Sequence, residues 1–389
     1  MKISLEKYLL NSSVFIIFSE AFFFNFIIDW KLMYLIVFIN FYLLFKHYTI
    51  KLPKYFFYLV LFLLIHAVIC YSIIKIPANF FASQILGITI TGVYFYNILK
   101  ILPIEKVKKT YLNFAFYASL IGYLFYFTGF NYFAYFSHEN RLMSVFKEPA
   151  HYVVVIIPAC YFFLKDKQYA KFLIILFSII LSKSSLGYVG IGIMIILPFL
   201  NLKRALYFLI SVPFLIGAFI YTYKSVEQFQ MRVDDSIDNL TVLKNGKFDH
   251  YTNLSSYVLL SNLYIAKNNF IEHPLGSGIG SHHYMYTTRY YKLMRPPHYL
   301  VFLKHHRDNS FDANSLFTRL FSELGVFGLV FILIALLYLF KSFRTNNYLI
   351  QGIVLYIILK LFRDGTYFPP ELFFFVWLFI FDLKKNENV

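Results

Sequence analysis

Apolar residues run along this chain in blocks of helix-spanning length, separated by short polar segments that carry most of its lysines. A helix needs roughly 20 mostly apolar residues to cross a bilayer, with about 17–25 as the working range. On that criterion candidate spans fall at about 8–28, 32–46, 55–74, 78–99, 110–128, 149–164, 171–182, 185–200, 205–223, 313–340, 348–362 and 370–383. The shorter ones fit a bilayer by tilting or by packing against neighbours. The pattern predicts an all-α, polytopic membrane fold of about 12 transmembrane helices, one helical domain over residues 1–389. The one long polar interruption, about 224–311, reads as a large loop between the ninth and tenth spans, with turn signals at Asn245-Gly246 and His273-Pro274. Its apolar residues are interspersed, so it is expected to fold back on the membrane core. No internal repeat is visible, which weakens an inverted-repeat transporter reading.

The basic residues orient these spans. With the N-terminus inside, Lys2 and Lys7, the lysines of 46–54 and 100–109, those of 165–171, Lys203 with Arg204, Lys341 with Arg344, and Lys384 with Lys385 fall in cytoplasmic segments. The short external loops then hold only Lys31, Lys75, Arg141, Lys147, Lys183 and Arg363. Short loops follow the positive-inside rule and long loops are exempt from it. Both termini are therefore expected in the cytoplasm and the 224–311 loop outside. Lys2 and Lys7 ahead of an apolar run imitate a secretion signal, but no small-residue cleavage site follows, and the run is read as a retained first span.

Composition narrows the class further. The chain is 59% hydrophobic and 14% charged, where soluble domains hold about 45–50% and about 25%. That excludes a soluble globule and a disordered chain. A net charge of +16 would suggest nucleic acid in a soluble protein; here topology accounts for it, and no nucleic-acid partner is expected. Cys70 and Cys160 lie inside apolar runs, no Cys/His cluster has zinc spacing, and no nucleotide-binding glycine pattern occurs, so neither metal nor cofactor is expected.

Ionisable residues at the edge of a span cost several kcal/mol and point to function. Asp312, Asn314, Ser315, Arg319, Ser322 and Glu323 open the tenth span, and their spacing of three or four puts a polar stripe on one helix face. The stripe must look into the bundle or a water-filled cavity. Two readings stand for Arg319 and Glu323: a site, or a self-neutralising pair that locks helix packing. A second set, Arg141, Lys147, Glu148, Lys183, Arg363 and Asp364, lies in three external loops at one depth, where Arg and Lys suit a pyrophosphate. Interfacial snorkelling is the competing account, preferred for Lys147. The large loop adds Arg289, His298 and the adjacent His305-His306, which lack a third ligand at metal spacing.

Three segments, Arg141-Leu-Met-Ser-Val-Phe-Lys-Glu148-Pro149, His273-Pro274-Leu-Gly276-Ser-Gly278-Ile-Gly280 and Asn314-Ser315 through Glu323-Leu-Gly325-Val-Phe-Gly328, resemble the O-antigen polymerase and ligase superfamily in sequence and in order. Arg363-Asp-Gly365 before the last span is similar to the closing segment of the polymerases. The resemblance implies a metal-independent glycosyltransferase of the bacterial inner membrane. Its donor would be undecaprenyl-diphosphate-linked oligosaccharide, with a chain-length regulator and a flippase as partners. By the same resemblance, Arg141, Arg289 and Arg363 contact diphosphate or glycan; Glu148, Lys183, Asn314 and Arg319 are further candidates for substrate binding.

Ligases of the superfamily often carry His-Asn where this chain has Ala313-Asn314. Either Asp312 supplies the base, or Glu323 or a loop histidine such as His282 or His298 does; or Asp312 merely caps the incoming helix. The expected activity is a repeat-unit polymerase, with an O-antigen ligase as the nearest rival and a flippase for the lipid-linked unit as the third.

Overall fold

The computed structural model describes residues 4–26, 28–129, 141–196, 227–342 and 347–387, with four short pieces between 212 and 225. The fold is helical as expected, with one exception inside the first predicted span. Helix α1 covers only Leu5–Ile16, and Phe23–Phe26 (β1) then pairs antiparallel with Ile28–Lys31 (β2). Glu20, Asn25 and Asp29 interrupt that apolar run, and its aromatic residues favour extended chain over helix. Helices α2 (Leu32–His47), α3 (Lys54–Ile74), α4 (Asn79–Ile101), α5 (Ile104–Thr128), α6 (Pro149–Lys165), α7 (Tyr169–Leu181) and α8 (Ser185–Ile196) follow the predicted blocks. The span expected at 205–223 lies largely outside the described residues. Among the described helices α3 and α4 are each long and apolar enough to cross a membrane alone, and six further apolar helices run 10–17 residues.

The predicted 224–311 loop is mostly helical, carrying α9 (Glu227–Asp238), α10 (Leu254–Glu272) and α11 (His298–Phe302). It does fold back: Tyr264, Ile265, Met285, Tyr286, Tyr290 and Met294 share a buried cluster with Tyr71 in the last turn of α3 and Ile76 just beyond it. The helix expected over 313–340 is two helices, α12 (Leu316–Leu324) and α13 (Val326–Ser342), separated at Gly325. Helices α14 (Tyr348–Phe362) and α15 (Pro370–Glu387) close the bundle.

Two devices bring the helices together. Small residues let backbones approach: Gly352 of α14 lies against the backbone of Pro158 in α6, where a Cβ would stand 2.6 Å from the Pro158 carbonyl oxygen. Internal hydrogen bonds then replace water, as they must in an apolar surround. Asn40 of α2 donates to Tyr94 of α4 at 2.6 Å, and the Tyr94 hydroxyl meets Ser13 of α1 at 2.8 Å. The Trp377 indole of α15 donates to the Gly92 carbonyl of α4 at 2.8 Å.

The turn after α10 makes another close approach. Gly276 and Gly280 have φ of 90° and 83°, a region that only glycine enters without strain. A Cβ at either position would stand 2.3 Å from a backbone oxygen, that of Glu323 or of Phe80 respectively. Gly276→Ala is therefore expected to lower stability by at least ~2 kcal/mol. Gly192→Ala, in α8 with open space around it, should be neutral or stabilising by up to ~1 kcal/mol. Thermal unfolding in detergent checks the pair; equal losses in both variants would contradict this account of the turn.

Candidate functional site

Helix α12 is amphipathic in the sense opposite to a soluble helix. Ser315 caps it, its hydroxyl accepting the Thr318 N–H at 3.1 Å. Thr318, Arg319, Ser322 and Glu323 are buried while Phe317 faces outward. The polar face is closed by a buried ion pair: Arg319 Nε donates to Glu323 Oε1 at 3.2 Å, Nη1 to the Gly365 carbonyl at 3.0 Å, and Nη2 to Gln84 Oε1 at 3.0 Å. The Tyr367 ring lies 4.1 Å from the guanidinium carbon. Glu323 also accepts the Gly280 N–H at 2.7 Å, the His282 N–H at 3.2 Å and the Tyr367 hydroxyl at 2.8 Å. Both carboxylate oxygens and all three guanidinium nitrogens are thus engaged.

That saturation explains the glycine turn. Gly278 N–H donates to the Glu323 carbonyl at 2.8 Å and Val326 N–H to the Pro274 carbonyl at 2.9 Å. From below, Tyr71 donates to the Ile279 carbonyl at 2.9 Å, and His66 Nε2 meets the Leu275 carbonyl at 2.8 Å. His282 is wholly buried between Ser322 (2.9 Å) and Asn262 (3.1 Å). Burial first, then the charges of Arg319 and His283, push its imidazole down to about 3.

The α12 entry packs against the turn between α14 and α15. Arg363 Nη1 donates to Asn314 Oδ1 at 2.6 Å, and the Asp364 N–H donates to the Asn314 carbonyl at 3.0 Å. Asp312 Oδ1 accepts the Asn314 N–H at 3.1 Å, a local turn bond that gives Asp312 a capping role. Burial and the neighbouring Asp364 push the Asp312 carboxyl up. Asp364 itself pairs with the fully buried Lys360. Burial alone would raise the Asp364 carboxyl, but the Lys360 and His151 charges and the hydrogen bonds of Lys360 and Thr366 together outweigh it and hold the group below the usual range.

The structure thus brings Asp312, Asn314, Arg319, Glu323 and Arg363 together. The other predicted residues stand apart from them. Arg141 donates to the Ser182 and Lys183 carbonyls at 3.1 and 3.2 Å, at the C-terminal end of α7, where a cation complements unpaired carbonyls. Lys183 contributes that carbonyl while its side chain is exposed, and Glu148 is the N-cap position of α6. Arg289 pairs with Glu272 at 2.7 Å on the surface, and His298 is exposed at the start of α11.

Residue spacing gave no sign of two features. Gln84 and Tyr367 complete the Arg319–Glu323 cluster from distant helices. Glu20 and His151, far apart in sequence, meet at 2.6 Å. They line a cavity of about 80 Å³ with Lys31, Asp364, Thr366 and Glu371. A larger apolar groove of about 700 Å³ runs along α3 past Phe62, Ile65, Ile69, Leu275 and Phe327, with Glu272 and His273 also lining it.

Comparison with known proteins adds one match. Residues 170–333, which include the glycine turn and all of α12, match the family model described as O-antigen ligase. No curated protein matches the chain.

His282 carries a pH consequence. Its folded value near 3 lies below the ordinary 6.5, so the unfolded chain binds the proton first. Its contribution to stability is full above about 6.5 and is lost progressively as pH falls toward about 3, on the order of a few kcal/mol in all. Thermal midpoints in detergent should fall from pH 7 to pH 5, and His282→Gln should flatten that slope. An unchanged slope in the variant would sink the assignment.

Proposed function

Because residues 170–333 match the family model described as O-antigen ligase, we propose that the chain is a repeat-unit polymerase of the O-antigen polymerase and ligase superfamily, a glycosyltransferase of the bacterial cytoplasmic membrane. It moves a growing glycan from undecaprenyl diphosphate onto the next lipid-linked repeat unit, on the external face. The observation that carries this reading is the half-buried Arg363 guanidinium, fixed on Asn314 at the end of the polar α12 face. Departure of a lipid diphosphate develops negative charge on phosphate oxygen. A pre-oriented guanidinium offers a planar fork of donors that matches it and need not reorganise as the bond breaks. Arg319 cannot take that part, since its nitrogens are committed inside the protein. It acts with Glu323 as a positioning pair.

The apolar groove along α3 suits a polyprenyl chain, and Arg289, paired with Glu272 at its lining, supplies a second cation where a headgroup would emerge. Polymerase is preferred to ligase because Ala313, buried at φ 55°, occupies the position before Asn314 where ligases often carry histidine. The description of the matching family favours the ligase as second reading.

Two outcomes test this. Deleting the gene should collapse the surface-glycan ladder to a single repeat on its acceptor; long chains accumulating on lipid diphosphate would mean ligase instead. Complementation with Arg363→Ala should leave the collapse in place, a loss of at least about 100-fold in chain extension, while Arg363→Lys restores it in part. Full ladders with Arg363→Ala would refute the diphosphate role.

A further inference from the structure

Transfer to a sugar hydroxyl releases a proton, and the Arg319 cluster has little to receive it. Both oxygens of Glu323 and both ring nitrogens of His282 are already bonded within the protein. Across the 363–366 turn the situation differs. Glu20, in the segment between α1 and β1, is held at Oε1 by His151 Nδ1 at 2.6 Å, while Oε2 is buried with no hydrogen-bond partner among the described residues. An unmatched buried carboxylate oxygen is costly unless a donor arrives.

The cavity beside it, about 80 Å³, exceeds the ~10–15 Å³ that a single water needs. It admits a hydroxyl-bearing carbon rather than a whole saccharide. The charged groups facing it are Lys31, His151, Asp364 and Glu371. Burial would push the Glu20 carboxyl up; the charge and hydrogen bond of His151, with Lys31, more than offset this and keep it below the usual range. One short turn separates this cavity from the arginine site. Arg363 and the Asp364 backbone reach Asn314 on one side, and Asp364 and Thr366 line the cavity on the other.

We propose that this cavity receives the acceptor hydroxyl and that Glu20 is the general base, with His151 as a positioning residue for its carboxylate. The inference rests on the glycosyl-transfer reading above. In the step, the acceptor O–H bond breaks and its proton passes to the Glu20 carboxylate. The acceptor oxygen uses that electron pair to bond the anomeric carbon. The bond from that carbon to the diphosphate oxygen breaks with its electron pair, and the lipid diphosphate leaves toward Arg363. Nothing is oxidised or reduced.

The test is chain extension by the purified full-length protein in lipid nanodiscs supplied with lipid-linked repeat units. Glu20→Gln, which keeps the shape, should lower kcat about 100-fold or more, with KM and the thermal midpoint unchanged. His151→Gln should lower kcat about tenfold at unchanged KM. Formate, small enough for the cavity, should restore extension to Glu20→Ala. Glu20→Gln within threefold of wild type, or Asp312→Asn inactive while Glu20→Gln is not, overturns the assignment. So does Glu20→Ala that formate fails to rescue. A wild-type protein that extends no chain overturns the polymerase reading, and this assignment with it.

Discussion

A guanidinium and a carboxylate buried among apolar helices must have their donors and acceptors occupied, and this single requirement organises the centre of the molecule. Arg319 and Glu323 meet it by drawing in α4 through Gln84, the glycine turn through Gly280 and His282, and the last inter-helix turn through Gly365 and Tyr367. Leaving one such charge unpaired costs about 3–5 kcal/mol, a large part of the ~5–15 kcal/mol that holds a domain folded. The pair is therefore poor as a source of net stability and effective as a specifier of arrangement. Those segments fit around it in one way.

The arrangement has a functional corollary. In the proposed reading, with Arg319 committed inward, Arg363 is the cation that meets the substrate at this place, and its position is inherited from the cluster through Gly365 and Asn314. In that reading the 363–366 turn is a partition with chemistry on both sides: a guanidinium suited to a leaving diphosphate on one, and on the other a carboxylate with an acceptor unmet among the described residues. Donor and acceptor ends of a glycosyl transfer need that kind of adjacency.

Much of the bundle was legible because apolar blocks of spanning length leave few alternatives to helices. The Arg319–Glu323 contact was legible from its spacing of four on one helix, and the backbone role of the 276–280 glycines fits the resemblance that first drew notice to them. The break at Gly325 and the hairpin after α1 were not. Periodicity registers hydrophobicity, and a glycine or a run of phenylalanines changes the backbone without changing that signal. Arg141 looked like a phosphate ligand by residue type, yet it donates to carbonyls at the end of α7. Glu20 with His151 is the clearest omission, since only the fold brings the segment after α1 against the start of α6.

The most direct test of the account is reconstitution of the purified protein in liposomes with lipid-linked repeat units alone, followed by sizing of the lipid-linked products. The account predicts a ladder of chains growing on undecaprenyl diphosphate without nucleotide sugar or added metal. Unchanged single repeats, or chains that form only when a lipid A-core or protein acceptor is supplied, would contradict it.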